Sequence, residues 1–224
     1  MTSRPPYRYK PERLPKGNRR MTFIVGMNCS DGIVLASDTL ESGGVAKRYR
    51  AKLYAVTASG EWGVAWGVAG NAYVADKFSD KIKTLLGTGQ YDRASIELTI
   101  ENCLKYIRKQ HPEPDNDIDV IFGIFGSPTE YDKKKKPYLG VPEARLYRGT
   151  SNSACLSPER EYAVIGMDVT LAAFLLDNTY HRFIRVAEAK RLGVFATALM
   201  EKYAAGVGGA ILSDHPKPVL PHIW

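Results

Sequence analysis

No stretch of this sequence is long and apolar enough to cross a bilayer. The N-terminus is basic but lacks the apolar run that a secretory signal carries ahead of its cleavage site. A soluble, cytoplasmic protein is the expectation. The three cysteines, Cys29, Cys103 and Cys155, are odd in number, unevenly spaced and free of any CxxC pair, which argues against a disulfide framework and a zinc site. The four histidines are scattered and form no HExxH pair, so neither a metal nor a cofactor is expected. A GxSxG elbow and a Walker loop are missing too, which sets aside serine-hydrolase and nucleotide-binding readings.

What is present suits one sizeable domain, because 224 residues with 44% hydrophobic content can fill a core without staples. The net charge of +7 points toward nucleic acid at first sight, but residues 1 to 20 carry six of those charges. This leader, "MTSRPPYRYKPERLPKGNRR", has four prolines and almost no aliphatic residue, so residues 1–21 read as a disordered basic leader or propeptide. Its interleaved Arg and Tyr could hold a polyanion, but a solvated or removable leader is preferred, so nucleic acid and membrane are not expected partners. The Lys133 to Lys136 run, flanked by Asp132 and Pro137, reads as a solvated hairpin tip.

Along the chain, "TFIVGM" and "GIVLASD" flank the Asp-Gly of "NCSDG" and predict an opening β-hairpin. "KLYAVT" and "WGVAWGVAG" predict a second strand pair ending at Gly70. Val74, Ala75, Phe78, Ile82 and Leu85 then recur at helical spacing, followed by Ile96, Ile100, Cys103 and Ile107 on a second helix. "DIDVIFGIFG", "EARLYRG" and "EYAVIG" return to strand. "DVTLAAFLLDN" and "VAEAKRLGVFATALMEKYAAG" return to helix, and "GGAILSD" is a final strand ahead of a Pro-rich tail, 215–224. Grouped strands and paired helices favour an α+β fold over regular βαβ alternation.

Four residues stand at the junctions of these elements: Thr22 before the first strand, Asp38 after the second, Lys52 before the third, and Gly70 at the end of the fourth. Gly32 lies ten residues after Thr22, and Asp38 six after Gly32. In order and spacing, this set resembles the β-type proteasome subunits, N-terminal-nucleophile (Ntn) threonine hydrolases. Lys52 in "AKLYAV" and Gly70 in "VAGNAYVADKF" match that family's lysine and glycine, across a segment, "TLESGGVAKRYR", two residues shorter than the family's. The resemblance spans about residues 22 to 213 and implies a domain over 22–214 with a four-layer αββα sandwich.

The resemblance also implies a chemistry. Thr22 would be the nucleophile and, through a free α-amine of ordinary pKa ~7.7 to 8.0, its own base. Asp38 would orient Lys52, whose charge favours the alkoxide, and the Gly70 N–H would donate to the oxyanion, a contact of a kind worth roughly 3 kcal/mol. By position, Glu41, Arg50 and Val68 would line the substrate pocket. Peptides or unfolded proteins would be substrates, a homo-oligomeric ring or related assembly the quaternary form, and an ATP-dependent unfoldase a partner.

The sequence departs from the family pattern at three places. Met167 stands where a serine would neighbour the amine, and Ala204 and Val207 stand where an aspartate and a serine are usual; Asp168 is the nearest substitute. An inactive structural or assembly subunit is therefore the alternative reading. The site needs Thr22 as first residue, reached by cleavage after Met21 or by translation beginning at Met21, which would make the leader a misassigned start.

Overall fold

The computed structural model describes residues 22–43, 46–58, 62–89, 91–127, 129–131, 137–139, 143–166 and 169–203. The chain opens with a hairpin, β1 (Phe23–Cys29) and β2 (Gly32–Ser37), paired from Ile24 opposite Ser37 to Cys29 opposite Gly32. Its tip is tied down, because Ser30 N–H donates to the Ile184 carbonyl and Asp31 Oδ1 accepts from Val186 N–H at 2.8 Å. A ribbon of β3 (Leu40–Gly43) and β4 (Ala46–Tyr49) follows, where the sequence reading had only a connecting segment.

Then come β5 (Leu53–Ala58), β6 (Trp62–Gly70), and the helices α1 (Ala72–Leu86) and α2 (Arg93–Gln110). A 3-10 turn (Pro114–Asn116) leads into β7 (Ile118–Gly126), then a second ribbon, β8 (Thr129–Tyr131) with β9 (Pro137–Leu139). The Lys133–Lys136 run lies between those ribbon strands and outside the described residues. The chain continues through β10 (Glu143–Thr150), β11 (Cys155–Glu159), β12 (Tyr162–Gly166), α3 (Val169–Thr179) and α4 (Val186–Tyr203). The expected last strand, "GGAILSD", lies outside the described residues, as do the leader and the Pro-rich tail.

Two larger sheets carry the fold, a three-stranded one in the order β12-β1-β2 and a five-stranded one in the order β11-β10-β7-β6-β5. Strand β11 escapes the sequence reading because "CLSPE" shows no alternation. It lies at the sheet edge, where Pro158 forfeits no ladder bond in the interior. The element types and their grouping make this a mixed α+β fold with two main sheets and four helices among the described residues.

Three apolar clusters hold the layers. Val25, Met27, Val34 and Val164 of the three-stranded sheet pack with Ala172, Leu176, Ala189, Ala196 and Met200 of α3 and α4. Val64, Trp66, Val68, Val120, Phe122 and Tyr147 of the five-stranded sheet pack with Phe78, Ile82, Leu86, Ile96, Ile100 and Leu104 of α1 and α2. Ile24, Ile33, Ile121, Leu146, Ala163 and Ile165 fill the space between the two sheets.

Strand alternation explains the division, since neighbours such as Ile24 and Val25 point to opposite faces. Close approach of the sheets needs small residues: a β-carbon on Gly26 would lie 2.8 Å from the side chains of both Ile121 and Leu146. On β6 of the five-stranded sheet Trp66 is fully buried, stacks on Tyr54 and Phe122 of the neighbouring strands, and donates its Nε1–H to Ser79 Oγ at 3.1 Å. One expectation is corrected here. Leu85, read as a core residue of α1, is exposed, and Leu86 is buried in its place, because the buried row advances in steps of four from Phe78 through Ile82.

Candidate active site

Thr22 precedes β1 and is 8% exposed. Its neighbour Phe23 makes the decisive backbone contact: Phe23 N–H donates to Asp38 Oδ1 at 2.9 Å, while Asp38 N–H donates back to the Phe23 carbonyl at 3.2 Å. The hairpin register produces this, because Ile24 faces Ser37 and the next residue, Asp38, therefore falls beside Phe23. The same Oδ1 accepts from Lys52 Nζ at 2.8 Å. Asp38 is 1% and Lys52 7% exposed, so both charges are sealed from water and compensate each other.

Lys52 reaches Asp38 through the first ribbon. Leu40 pairs with Tyr49, and Arg50 N–H then donates to the Thr39 carbonyl at 2.8 Å, so the chain returns beside its departure point two residues before Lys52. Three of the four expected site residues, Thr22, Asp38 and Lys52, are thereby gathered at the start of β1.

A residue that the sequence reading passed over completes this corner. Gly166 pairs with Phe23 at the end of β12, has φ +106°, and approaches so closely that a β-carbon there would lie 1.7 Å from the Thr22 carbonyl oxygen. Only glycine fits that backbone and that gap. The signal was the "IG" preceding Met167; Met167 and Asp168 lie outside the described residues, as do Ala204 and Val207.

Gly70 ends β6 with φ +116° and pairs with Ile118. A β-carbon there would lie 2.4 Å from the Asp117 carbonyl oxygen, so this glycine too is required by conformation and by space. Its predecessor Ala69 packs with Ile24 and Ile165 in the cluster between the sheets, which brings the end of β6 toward the start of β1. Asn71 caps α1, its Oδ1 accepting from the Tyr73 and Val74 N–H groups, so the Gly70–Asn71 corner opens onto the positive end of a fifteen-residue helix.

The three residues expected to line the substrate pocket lie on three different segments. Arg50 pairs with Asp76 of α1 and donates to the Tyr54 hydroxyl at 3.3 Å. Val68 is buried in the cluster beneath α1 and α2. Glu41 occupies the β3 position opposite Arg48. Among the described residues no group of three His, Cys, Asp or Glu side chains could hold a metal ion, and no helix is long and apolar enough to cross a membrane.

No family model matches the chain, and no curated protein does. Solved structures do. A Gly-1 mutant of Anbu from Hyphomicrobium sp. strain MC1 superposes with a TM-score of 0.68 at 18% identity, over 85% of this chain and 79% of that one. Anbu from Yersinia bercovieri, described as an ancestral beta-subunit, gives a TM-score of 0.67 at 15% identity, over 84% and 79%.

The fold is proteasome-like. Anbu from Pseudomonas aeruginosa, solved as a helical assembly, gives 0.67 at 14% identity, over 84% of this chain and 78% of that one. At these identities the likeness is one of proteasome-like architecture, and any activity has to be argued from the residues themselves.

Proposed function

We propose that this chain is a threonine-type endopeptidase built as an αββα sandwich, with Thr22 as N-terminal nucleophile. The observation that carries the reading is the buried Lys52–Asp38 pair whose shared oxygen also holds the Phe23 N–H, one residue from Thr22. A buried ion pair is poor value for stability alone, since an apolar pair of similar volume often does as well. Its place beside a threonine that can become a chain terminus gives it a use.

With Thr22 as first residue, its α-amine takes the Oγ1 proton as Oγ1 attacks the scissile carbonyl carbon. The carbonyl π electrons move to oxygen, where the Gly70 N–H stabilises them. Collapse breaks the C–N bond, and the leaving amine takes the proton from the Thr22 ammonium. Water then attacks the ester, its proton passing through the same amine to Oγ1, and the peptide acid leaves. Lys52 keeps positive charge beside the hydroxyl throughout, and Asp38 holds Lys52 in place. Arg50 and Glu41 stand on the substrate side of the site in this reading, and Val68 backs it from the core beneath α1 and α2. Self-assembly, an unfoldase partner and a cytoplasmic setting belong to the same proposal.

The test is turnover of fluorogenic peptides by protein whose mature N-terminus is Thr22, confirmed by intact mass, alongside Thr22→Ala. Cleavage by the first and none by the second is expected; equal turnover sinks the reading. The second reading, an inactive assembly subunit, is favoured by Met167, Ala204 and Val207 at positions where the resemblance places polar groups. A mature chain that retains its leader supports it, because an acylated Thr22 nitrogen has no basic lone pair.

A further inference from the structure

The corner that carries the Gly70 amide is fastened by polar contacts that the chemistry above does not use. Asn71, directly after Gly70, donates its Nδ2–H to Asn116 Oδ1 at 2.7 Å. Asn116 belongs to the 3-10 turn and is itself held, its N–H donating to the Glu113 carbonyl at 2.9 Å and its Nδ2–H to Glu113 Oε2 at 2.8 Å. The next residue, Asp117, sets its carbonyl oxygen 2.4 Å from where a Gly70 β-carbon would lie, and its side-chain Oδ1 accepts from Arg108 of α2 at 2.9 Å. Ile118 N–H then donates to the buried Ser151 Oγ at 3.0 Å. Segment 113–118 is thus anchored to α2 and to the turn after β10, and it meets the Gly70–Asn71 corner through Asn116 and the Asp117 carbonyl.

An oxyanion donor lowers a barrier only when its direction is set before charge develops, because a donor that must reorient gives back what it gains. Glycine at φ +116° has no side chain to hold its own backbone, so that direction has to be imposed by neighbours. We propose that Asn116, acting through Asn71, is a positioning residue for the Gly70 amide. Their side-chain bond fixes where that N–H points, and a segment 45 residues away in sequence thereby sets the strength of the oxyanion site. The inference rests on the peptidase reading above.

The test uses Asn116→Ala and Asn71→Ser. Serine ranks with asparagine as a helix cap but is too short to donate to Asn116, so α1 keeps its cap while the bond is lost. Each variant is expected to lower kcat on a fluorogenic peptide roughly tenfold with KM unchanged, and the double variant to fall no further than either single.

Inhibition by a peptide aldehyde, whose hemiacetal places an oxyanion at Gly70, weakens by the same factor. Single-turnover labelling of Thr22 by a peptide vinyl sulfone, which places no carbonyl oxyanion there, keeps its rate. Unchanged kcat and unchanged aldehyde inhibition in variants of wild-type melting temperature overturn the inference. So does an equal loss of aldehyde inhibition and vinyl sulfone labelling, which marks general damage to the site. If Asn116→Ala does not fold, Asn71→Ser carries the comparison alone. A wild-type chain with a free Thr22 amine that takes no label sinks the peptidase reading itself, and the positioning role with it.

Discussion

Lys52 Nζ lies 2.8 Å from Asp38 Oδ1, with both side chains buried, and that oxygen is also the acceptor for the Phe23 N–H. One carboxylate oxygen therefore orders the lysine and the first residue of β1 together.

Breaking this pair from one side leaves a buried charge uncompensated. Lys52→Met is expected to cost about 3–5 kcal/mol in chemical denaturation and to abolish peptide turnover. Lys52→Met combined with Asp38→Asn is expected to recover much of that stability while turnover stays absent. A double variant as unstable as the single one contradicts the account of Asp38 as a charge needing Lys52.

Gly166→Ala places a methyl group into the Thr22 carbonyl, against backbone that has no rotamer to yield, and at a φ that alanine resists. We expect the melting temperature to fall and peptide turnover to disappear. Gly26→Ala is the comparison, because its new methyl meets only the side-chain ends of Ile121, Leu146 and Leu35. It should cost less than Gly166→Ala; the reverse order would show that Gly166 is not held as described.

Burial pushes the Cys103 thiol up from 9.0 to about 11, an effect that the nearby Lys81 charge partly opposes. A folded pKa above the unfolded one means that the native state binds the proton more tightly. Its contribution is complete below pH 9 and is lost as the pH rises from about 9 through about 11. The stability gap between wild type and Cys103→Ala should accordingly narrow from pH 8 to pH 10.5 in denaturant titrations. A gap that widens over that range refutes the assignment. Cys29, pushed up to about 12 mainly by burial, should resist alkylation at pH 8 while exposed Cys155 reacts.

Trp66→Ala removes a fully buried indole stacked between Tyr54 and Phe122 and strands the Ser79 hydroxyl that accepts from it. A loss of about 3–5 kcal/mol is expected by denaturant unfolding. Trp66→Phe keeps most of the stacking but forfeits the hydrogen bond, so its loss should be smaller.

The sequence alone determined the elements whose cause is local. Two β-rich apolar runs flanking the Asp31–Gly32 turn specify the β1–β2 hairpin, and the hairpin register carries Asp38 to the Phe23 backbone, so a fixed spacing in the chain becomes a fixed geometry. Helical periodicity marked α1 and α2, missing only which of Leu85 and Leu86 turns inward. The polar ribbon β3–β4 and the edge strand β11 carry no such periodicity, since neither alternates apolar and polar residues. Only the tertiary structure brought Gly166 against Thr22, and Asn116 to Asn71 beside Gly70. Those contacts join segments far apart in the chain, and an asparagine or a glycine has no local pattern that names its partner. The spacing of Thr22, Asp38 and Lys52 singles them out as one set in the chain; the packing of the two sheets decides how they meet, and the 3-10 turn holds the Gly70–Asn71 corner.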